Sequence, residues 1–239
     1  MSSTRMFDRF HQRSSELEHL DKGDYTAEEY EGCIIELQRV NRWLGDASAL
    51  RDSLLAEIER LNLRSFSVLD VGAGSGELLQ VIADWARKTN RRARLTGVEM
   101  NARSAAAIAE RTHAFPELTA LRADAFKLPF VDHEFDYVMC SLFTHHFLDT
   151  DVVRILRELA RVSKRGIFVI DLHRHPIAYI FYTTVGRLFL HNRLLREDGA
   201  LSILRSFRPQ ELEKLATQAE LKNARVTRSF PYRLVLTAS

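Results

Sequence analysis

Ser67-Val68-Leu69-Asp70-Val71-Gly72-Ala73-Gly74-Ser75-Gly76-Glu77-Leu78-Leu79 runs from a short apolar stretch through three alternate glycines into helix-type sequence. Val68, Leu69 and Val71 make a run too short for a helix, so they read as a buried strand that the glycines break. Beyond them Leu78, Ile82 and Trp85, with Leu79 and Ala83, recur at helical intervals and predict a helix over 77–89. Glycine has no Cβ and tolerates positive φ, so a turn of this kind lets a ligand rest on bare backbone. The unpaired N–H groups at the start of the helix favour an anionic group at the same spot.

The glycine spacing is one residue tighter than the Gly-Xaa-Gly-Xaa-Xaa-Gly pattern that seats a pyrophosphate. Three glycines alone are weak evidence, since tight packing can also demand them. Two acids add to the signal. Asp70 precedes the turn, and Arg94-Leu-Thr-Gly-Val-Glu-Met100 places Glu99 at the end of the next strand, where a carboxylate can accept both hydroxyls of a ribose.

Working outward, strands are predicted near 66–71, 93–99, 118–123, 135–141 and 166–171, and helices near 77–89, 102–113 and 150–163. That alternation implies a parallel sheet with helices on both faces. The close of the chain differs. A helix over 209–219 leads to strand-like segments at 224–230 and 232–238, and a connection that short permits only an antiparallel pair.

Toward the start, residues 1–25 show no period and read as a mobile arm. Thr26-Ala-Glu-Glu29 has the spacing of a capping box. Cys33, Leu37, Val40 and Leu44 then follow at helical intervals, and a second helix over 48–62 carries Leu50, Leu54, Ile58 and Leu61 on one face. Trp43, beside Arg42 at the end of the first helix, is either core or part of a pocket closure. The expected division is an arm and helical cap over 1–64 and a ligand-binding domain over 65–239, with an insertion at about 173–208.

A hydrophobic content of 46% and a charged content of 28% fit a globular chain with a sizeable core rather than extended disorder. The net charge of +2 does not advertise nucleic-acid binding, although the first 62 residues are acid-rich and residues 186–239 base-rich. Cys33 and Cys140 are the only cysteines, so neither a disulfide framework nor a thiolate zinc site is indicated. The start lacks the apolar core of a signal peptide, and the expected location is the cytoplasm.

The strand, the glycine turn, Asp70 and Glu99 together resemble the class I S-adenosylmethionine-dependent methyltransferases. The resemblance covers about residues 65–239. It implies an α/β fold, a Rossmann-like doubly wound seven-stranded sheet ending in an antiparallel hairpin, with S-adenosylmethionine as cofactor and S-adenosylhomocysteine as product. By the same resemblance Asp70 faces the amine of the methionine moiety and the backbone of Gly72, Ala73 and Gly74 packs on that moiety and the ribose. Glu99 holds the ribose diol, and Met100 lies on the adenine face.

Leu121-Arg-Ala-Asp-Ala-Phe126 has the shape of the family's third motif, which implies that Asp124 accepts the adenine amino group and that Ala125 donates its backbone N–H to the ring. A strand-end aspartate is also a common turn former. The stretch Phe135 to Phe147 matches the fourth strand and exit loop of small-molecule members, so Cys140 borders the sulfur end of the cofactor and His145 and His146 come just beyond.

Methyl transfer is a displacement with a neutral leaving group, so alignment does most of the work. An oxygen nucleophile, or a ring carbon activated by a phenol, also needs its proton removed, which a histidine suits. His145 and, in Asp171-Leu-His-Arg-His-Pro176, His173 are the candidate bases, with structural hydrogen bonding as the bland reading of each. These histidines lack a recognised metal-ligand spacing, and no metal is expected.

Pro176 to Leu190 is apolar on two helical faces and too short, with Arg187 inside it, to span a membrane. It reads either as a lid over the acceptor or as a helix buried between the sheet and the N-terminal helices. An aromatic-rich lid suits a flat, lipophilic acceptor such as a phenol, a quinone precursor or a polyketide. The Asn41-Arg-Trp-Leu-Gly45, Asp171 to Pro176 and Ser206-Phe-Arg-Pro209 stretches resemble a bacterial subgroup encoded beside type III polyketide synthases.

RNA is the runner-up acceptor because of the basic C-terminal part. Nucleic-acid amines are disfavoured because Cys140-Ser-Leu-Phe143 is not the Asn-Pro-Pro-Tyr type of motif. A nicotinamide-dependent oxidoreductase and a non-catalytic cofactor-binding module are the rivals from other classes.

Overall fold

The computed structural model describes residues 9–26, 28–30, 32, 33, 36 and 45–239. The predicted alternation is present. The elements that position the site are β1 (Ser65–Val71), α1 (Glu77–Lys88), β2 (Arg92–Glu99), α2 (Ala102–Arg111), β3 (Leu118–Arg122), β4 (Phe135–Ser141), α3 (Asp149–Val162) and β5 (Ser163–Leu172). They are followed by α4 (Pro176–Thr184), α5 (Gly186–Phe189), α6 (Arg193–Arg205), α7 (Pro209–Gln218), β6 (Arg225–Ser229) and β7 (Arg233–Ala238).

The seven strands lie in the order β3-β2-β1-β4-β5-β7-β6. The first five are parallel, and β7 pairs antiparallel with both β5 and β6. Strand β1 is buried on both faces, as a central parallel strand requires. One face of the sheet packs Leu69, Val71 and Val138 against Ile155 and Leu159 of α3 and Leu212 of α7. The other packs Val68, Leu95 and Met139 against Leu79 and Ile82 of α1 and against Leu50, Leu54 and Ile58.

The run that supplies Leu50, Leu54 and Ile58 is helical as expected, but it starts at Asp46 and widens into a π-helical segment at Arg51–Leu55. Ser53 Oγ donates back to Ala49 O at 2.6 Å within that stretch. The capping box is present: Thr26 N donates to Glu29 and Glu29 N to Thr26 Oγ1, at 3.0 and 3.1 Å. Cys33 is buried with Leu190, Leu194 and Leu195. The expected continuation through Leu37, Val40 and Leu44, including Arg42 and Trp43, lies outside the described residues.

Residues 9–18, read from the sequence as mobile, are packed instead. Phe10 and Glu18 are buried. Arg13 donates to the carbonyls of Arg205, Phe147 and His145 at 2.7, 3.0 and 3.3 Å, and its guanidinium lies 4.1 Å from the Phe207 ring. Buried Asp198 of α6 accepts from the amides of His19 and Leu20. These partners are all distant in sequence, so no local period could announce them.

Candidate active site

In this strand order the chain turns outward on either side of β1 and β4, so the loops after those two strands stand at the carboxyl edge, where open α/β sheets bind their ligands. The loop after β1 is the glycine turn. Gly72 and Ala73 donate to Val98 O at 2.9 and 3.2 Å, which binds the turn to the end of β2. Gly72, Gly74 and Gly76 have φ of 70°, 57° and 82°, a region that side chains disfavour. A Cβ on Gly74 would meet nothing within 4 Å, so open space lies above the middle of the turn. A Cβ on Gly72 would run into the Phe143 ring, which comes from the loop after β4 and covers that glycine.

Asp70 and Glu99 stand where the sequence puts them, at the carboxyl ends of β1 and β2. Glu99 is half-buried and accepts from Gly74 N at 2.9 Å. Asp70 is buried with its Oδ1 unpartnered. Burial, with the nearby carboxylates of Glu99 and Glu77, pushes Asp70 well above the usual carboxylate range. An orphaned buried acid oxygen beside an open glycine turn fits a ligand that brings a cationic donor such as an amine. The donor set therefore suits S-adenosylmethionine. Met100 is 57% exposed beside Glu99, free to lie on a ring.

Asp124 is exposed and its Oδ1 accepts from Phe126 N at 2.9 Å, which makes it a turn former in this structure, with Ala125 half-buried beside it. Cys140 departs from expectation. It is fully buried in the core and burial pushes its thiol well up, so its side chain has no surface to offer a ligand. Strand β4 alternates its side chains between two covered faces, and position 140 falls on the face packed by α3.

The loop after β4 closes in a 3-10 turn, Thr144–His146. His145 is buried, and its Nδ1 lies 2.6 Å from Asp171 Oδ1. The other Asp171 oxygen accepts from Thr144 Oγ1 at 2.5 Å and from His145 N at 3.1 Å. Burial alone would raise Asp171, but the charge and hydrogen bond of His145, with the bonds from Thr144 and Leu172, outweigh it and hold the carboxyl at about 2. An ionised Asp171 accepts a hydrogen bond from Nδ1–H, the tautomer that leaves the Nε2 lone pair free. The sequence quoted Asp171 only inside a motif. The rule that singled out Asp70 and Glu99, an acid closing a parallel strand, applies to it equally.

His173 is placed differently. It is buried 8% exposed just past β5, its N donates to Tyr232 O, and its ring sits by His175 and Tyr232. Burial, with the positive charges of His175, Arg228, Arg174 and Arg208, lowers it to about 4. His175 is spent on capping α4, where its Nδ1 accepts from Ile177 N.

A histidine neutral in the fold and charged when unfolded makes stability rise with pH, because the unfolded chain binds the extra proton. The effect spans the window from about 6.5 down to about 4. His173→Gln is therefore expected to flatten the loss of stability on acidification from pH 7 to pH 4.5. The difference amounts to about 1.4 kcal/mol per pH unit at most. Denaturant titrations at four pH values check it, and parallel curves for the two proteins would contradict it.

No residue of α4 is buried. Ile177, Ile180, Phe181, Leu188 and Phe189 are 39 to 73% exposed, so the segment is not a helix buried between the sheet and the N-terminal helices, although Tyr182 packs against the cluster of Cys33 and Leu194. Among the described residues, no helix is long and apolar enough to cross a membrane.

Residues 69–170 match a family model described as a methyltransferase domain. Over 172 residues the chain is 32% identical to the ubiquinone biosynthesis O-methyltransferase of Pseudomonas fluorescens, spanning 68% of this chain and 67% of that protein. It is 28% identical over 100 residues to the demethylmenaquinone methyltransferase of Bacillus licheniformis, a match that spans 42% of this chain and only 41% of that protein. Among solved structures, the CurJ carbon methyltransferase superposes with a TM-score of 0.66 at 11% identity, covering 98% of this chain and 66% of that one. A SAM-dependent methyltransferase from Aquifex aeolicus gives 0.57 at 17% identity over 82% and 95%. At those identities the two superpositions speak to the fold.

Proposed function

Because the chain belongs to the class I S-adenosylmethionine-dependent methyltransferases, we propose that it methylates an oxygen, or an activated carbon, of a small aromatic or lipophilic acceptor. The observation that carries this reading is the buried His145–Asp171 pair at the carboxyl edge of the sheet. A proton acceptor held at that position serves a hydroxyl nucleophile. The quinone-pathway names of the relatives and the exposed apolar side chains of α4 and α5 support a lipophilic acceptor, with residues 173–208 as its lid.

When bound, S-adenosylmethionine supplies an electrophilic methyl carbon on a sulfonium whose departure leaves a neutral thioether. Asp70 and the backbone of Gly72, Ala73 and Gly74 would hold its methionine end, Glu99 its ribose diol, and Met100, Asp124 and Ala125 its adenine. His145 Nε2 would take the acceptor's O–H proton, which leaves the oxygen free to bond the methyl carbon that the cofactor supplies. Asp171 stabilises the imidazolium that results. His173, lowered to about 4 by burial and then by its cationic neighbours, is poorly matched to a base working near neutral pH.

A panel of phenols, hydroquinones, polyketide aromatics and RNA, offered with methyl-labelled cofactor, tests the assignment. Label in an ether or ring methyl of a small molecule supports it, and label confined to RNA refutes it. Glu99→Ala is expected to weaken S-adenosylhomocysteine by on the order of 2 kcal/mol, since a charge-assisted acceptor of two hydroxyls is lost. Calorimetry reads this directly, and an unchanged isotherm would remove Glu99 from the cofactor site.

A further inference from the structure

Glu18, on the packed N-terminal segment, meets His145 and His146 of the loop after β4, and one ligand atom of each lies within 4.8 Å of the others. Glu18 Oε1 is 3.9 Å from His145 Nε2, and Glu18 Oε2 is 3.8 Å from His146 Nδ1. Both separations exceed a hydrogen bond, so the three groups lie close together without satisfying one another, although Glu18 Oε1 also accepts from Ser202 Oγ at 2.8 Å. We propose that Glu18, His145 and His146 form a binding site for a divalent transition metal ion of the zinc type. Two imidazoles and one carboxylate are a donor set such an ion accepts, with a coordination position left open.

Three independent features support the site. The first is behind His145, whose Nδ1 is engaged by fully buried Asp171 at 2.6 Å. A carboxylate on the far nitrogen orients a metal-binding imidazole and raises its basicity. The second is charge. The carboxylates of Glu18 and Asp21 each lie 3.8 Å from the guanidinium of Arg205, and that of Asp171 stands behind His145. Arg13 also approaches, but it is paired with Asp149. Negative charge is therefore in excess, and a dication offsets it.

The third feature is access. Glu18 and His145 have side chains only 3% exposed, whereas His146 and Asp21 are each 29% exposed and form the way in from solvent. Asp21 Oδ2 lies 3.4 Å from His146 Nδ1, at the mouth of the site. An ion there would tie the N-terminal segment to the loop. It would also occupy the His145 lone pair that the proposed reaction uses; that consequence rests on the proposed function, while the site itself does not.

The test uses the full-length protein, stripped with a chelator and titrated with Zn2+ by calorimetry and with Co2+ by visible absorption. One equivalent of each is expected to bind with micromolar or tighter affinity. Glu18→Gln and His146→Ala should each weaken binding by about tenfold or more, and Asp171→Asn by about 10- to 100-fold through the imidazole it orients. Thermal midpoints of the metal-free variants control for folding. No binding in the micromolar range, or affinity unchanged in both Glu18→Gln and His146→Ala, overturns the site. Neither of those results bears on methyl transfer by the metal-free protein, which the acceptor panel reads separately.

Discussion

Replacing His145 with alanine is expected to lower turnover by about 100- to 10,000-fold, the range that a positioned general base contributes. S-adenosylhomocysteine should bind the variant as it binds the parent, because the groups proposed to hold it are on the turns after β1 and β2. The geometry adds a second expectation. Asp171 accepts from His145 Nδ1 and thereby keeps Nε2 unprotonated, so Asp171→Asn should also slow the reaction, by presenting the wrong tautomer. Turnover and KM measured for both variants, with the pH–rate profile of the parent, distinguish a base from a structural histidine. If His145→Ala retains its rate within about threefold, the displacement runs by alignment alone, as it can for a nucleophile that needs no deprotonation.

The second large effect concerns stability. Arg233 of β7 and Asp46 are both buried and paired with each other, close enough to Asp171 and His145 for their charges to interact. Burial raises Asp46, and the neighbouring guanidinium works against that rise. Arg233→Met is expected to cost about 3–5 kcal/mol of unfolding free energy, because it strands a buried carboxylate. The double variant Asp46→Leu with Arg233→Met should recover most of that loss, since removing both charges together avoids the stranded ion. Denaturant unfolding of the parent, the single and the double variant completes the cycle. A single variant within about 1 kcal/mol of the parent would mean that solvent reaches Asp46 once the arginine is gone.

The residues proposed to hold the cofactor stand closer together in sequence than those proposed to meet the acceptor. Asp70, Gly72, Gly74 and Glu99 lie within one strand–turn–helix–strand unit, where short-range periodicity reveals both the strand and the acid that ends it. Cys140 misled because its neighbour relations in sequence say that it ends a strand but not which sheet face it serves. Asp171 was within reach of the same strand-end rule. Glu18 was not, since its segment has no period and its partners, Ser202, Arg205, His145 and His146, come from two other parts of the chain.

Local pattern by itself determined the parallel sheet, its closing hairpin, the glycine turn and the acids on either side of it, because alternation, helical spacing and missing side chains act over a few residues. The tertiary structure alone decided that Asp171 grips His145, that His173 sits among arginines, that Ile177, Phe181, Leu188 and Phe189 stay in solvent, and that Phe10 and Glu18 anchor residues 9–18. Those outcomes depend on burial and on charge pairs between distant segments. Such terms take their magnitude from the low-dielectric surroundings that exist only once the chain has folded.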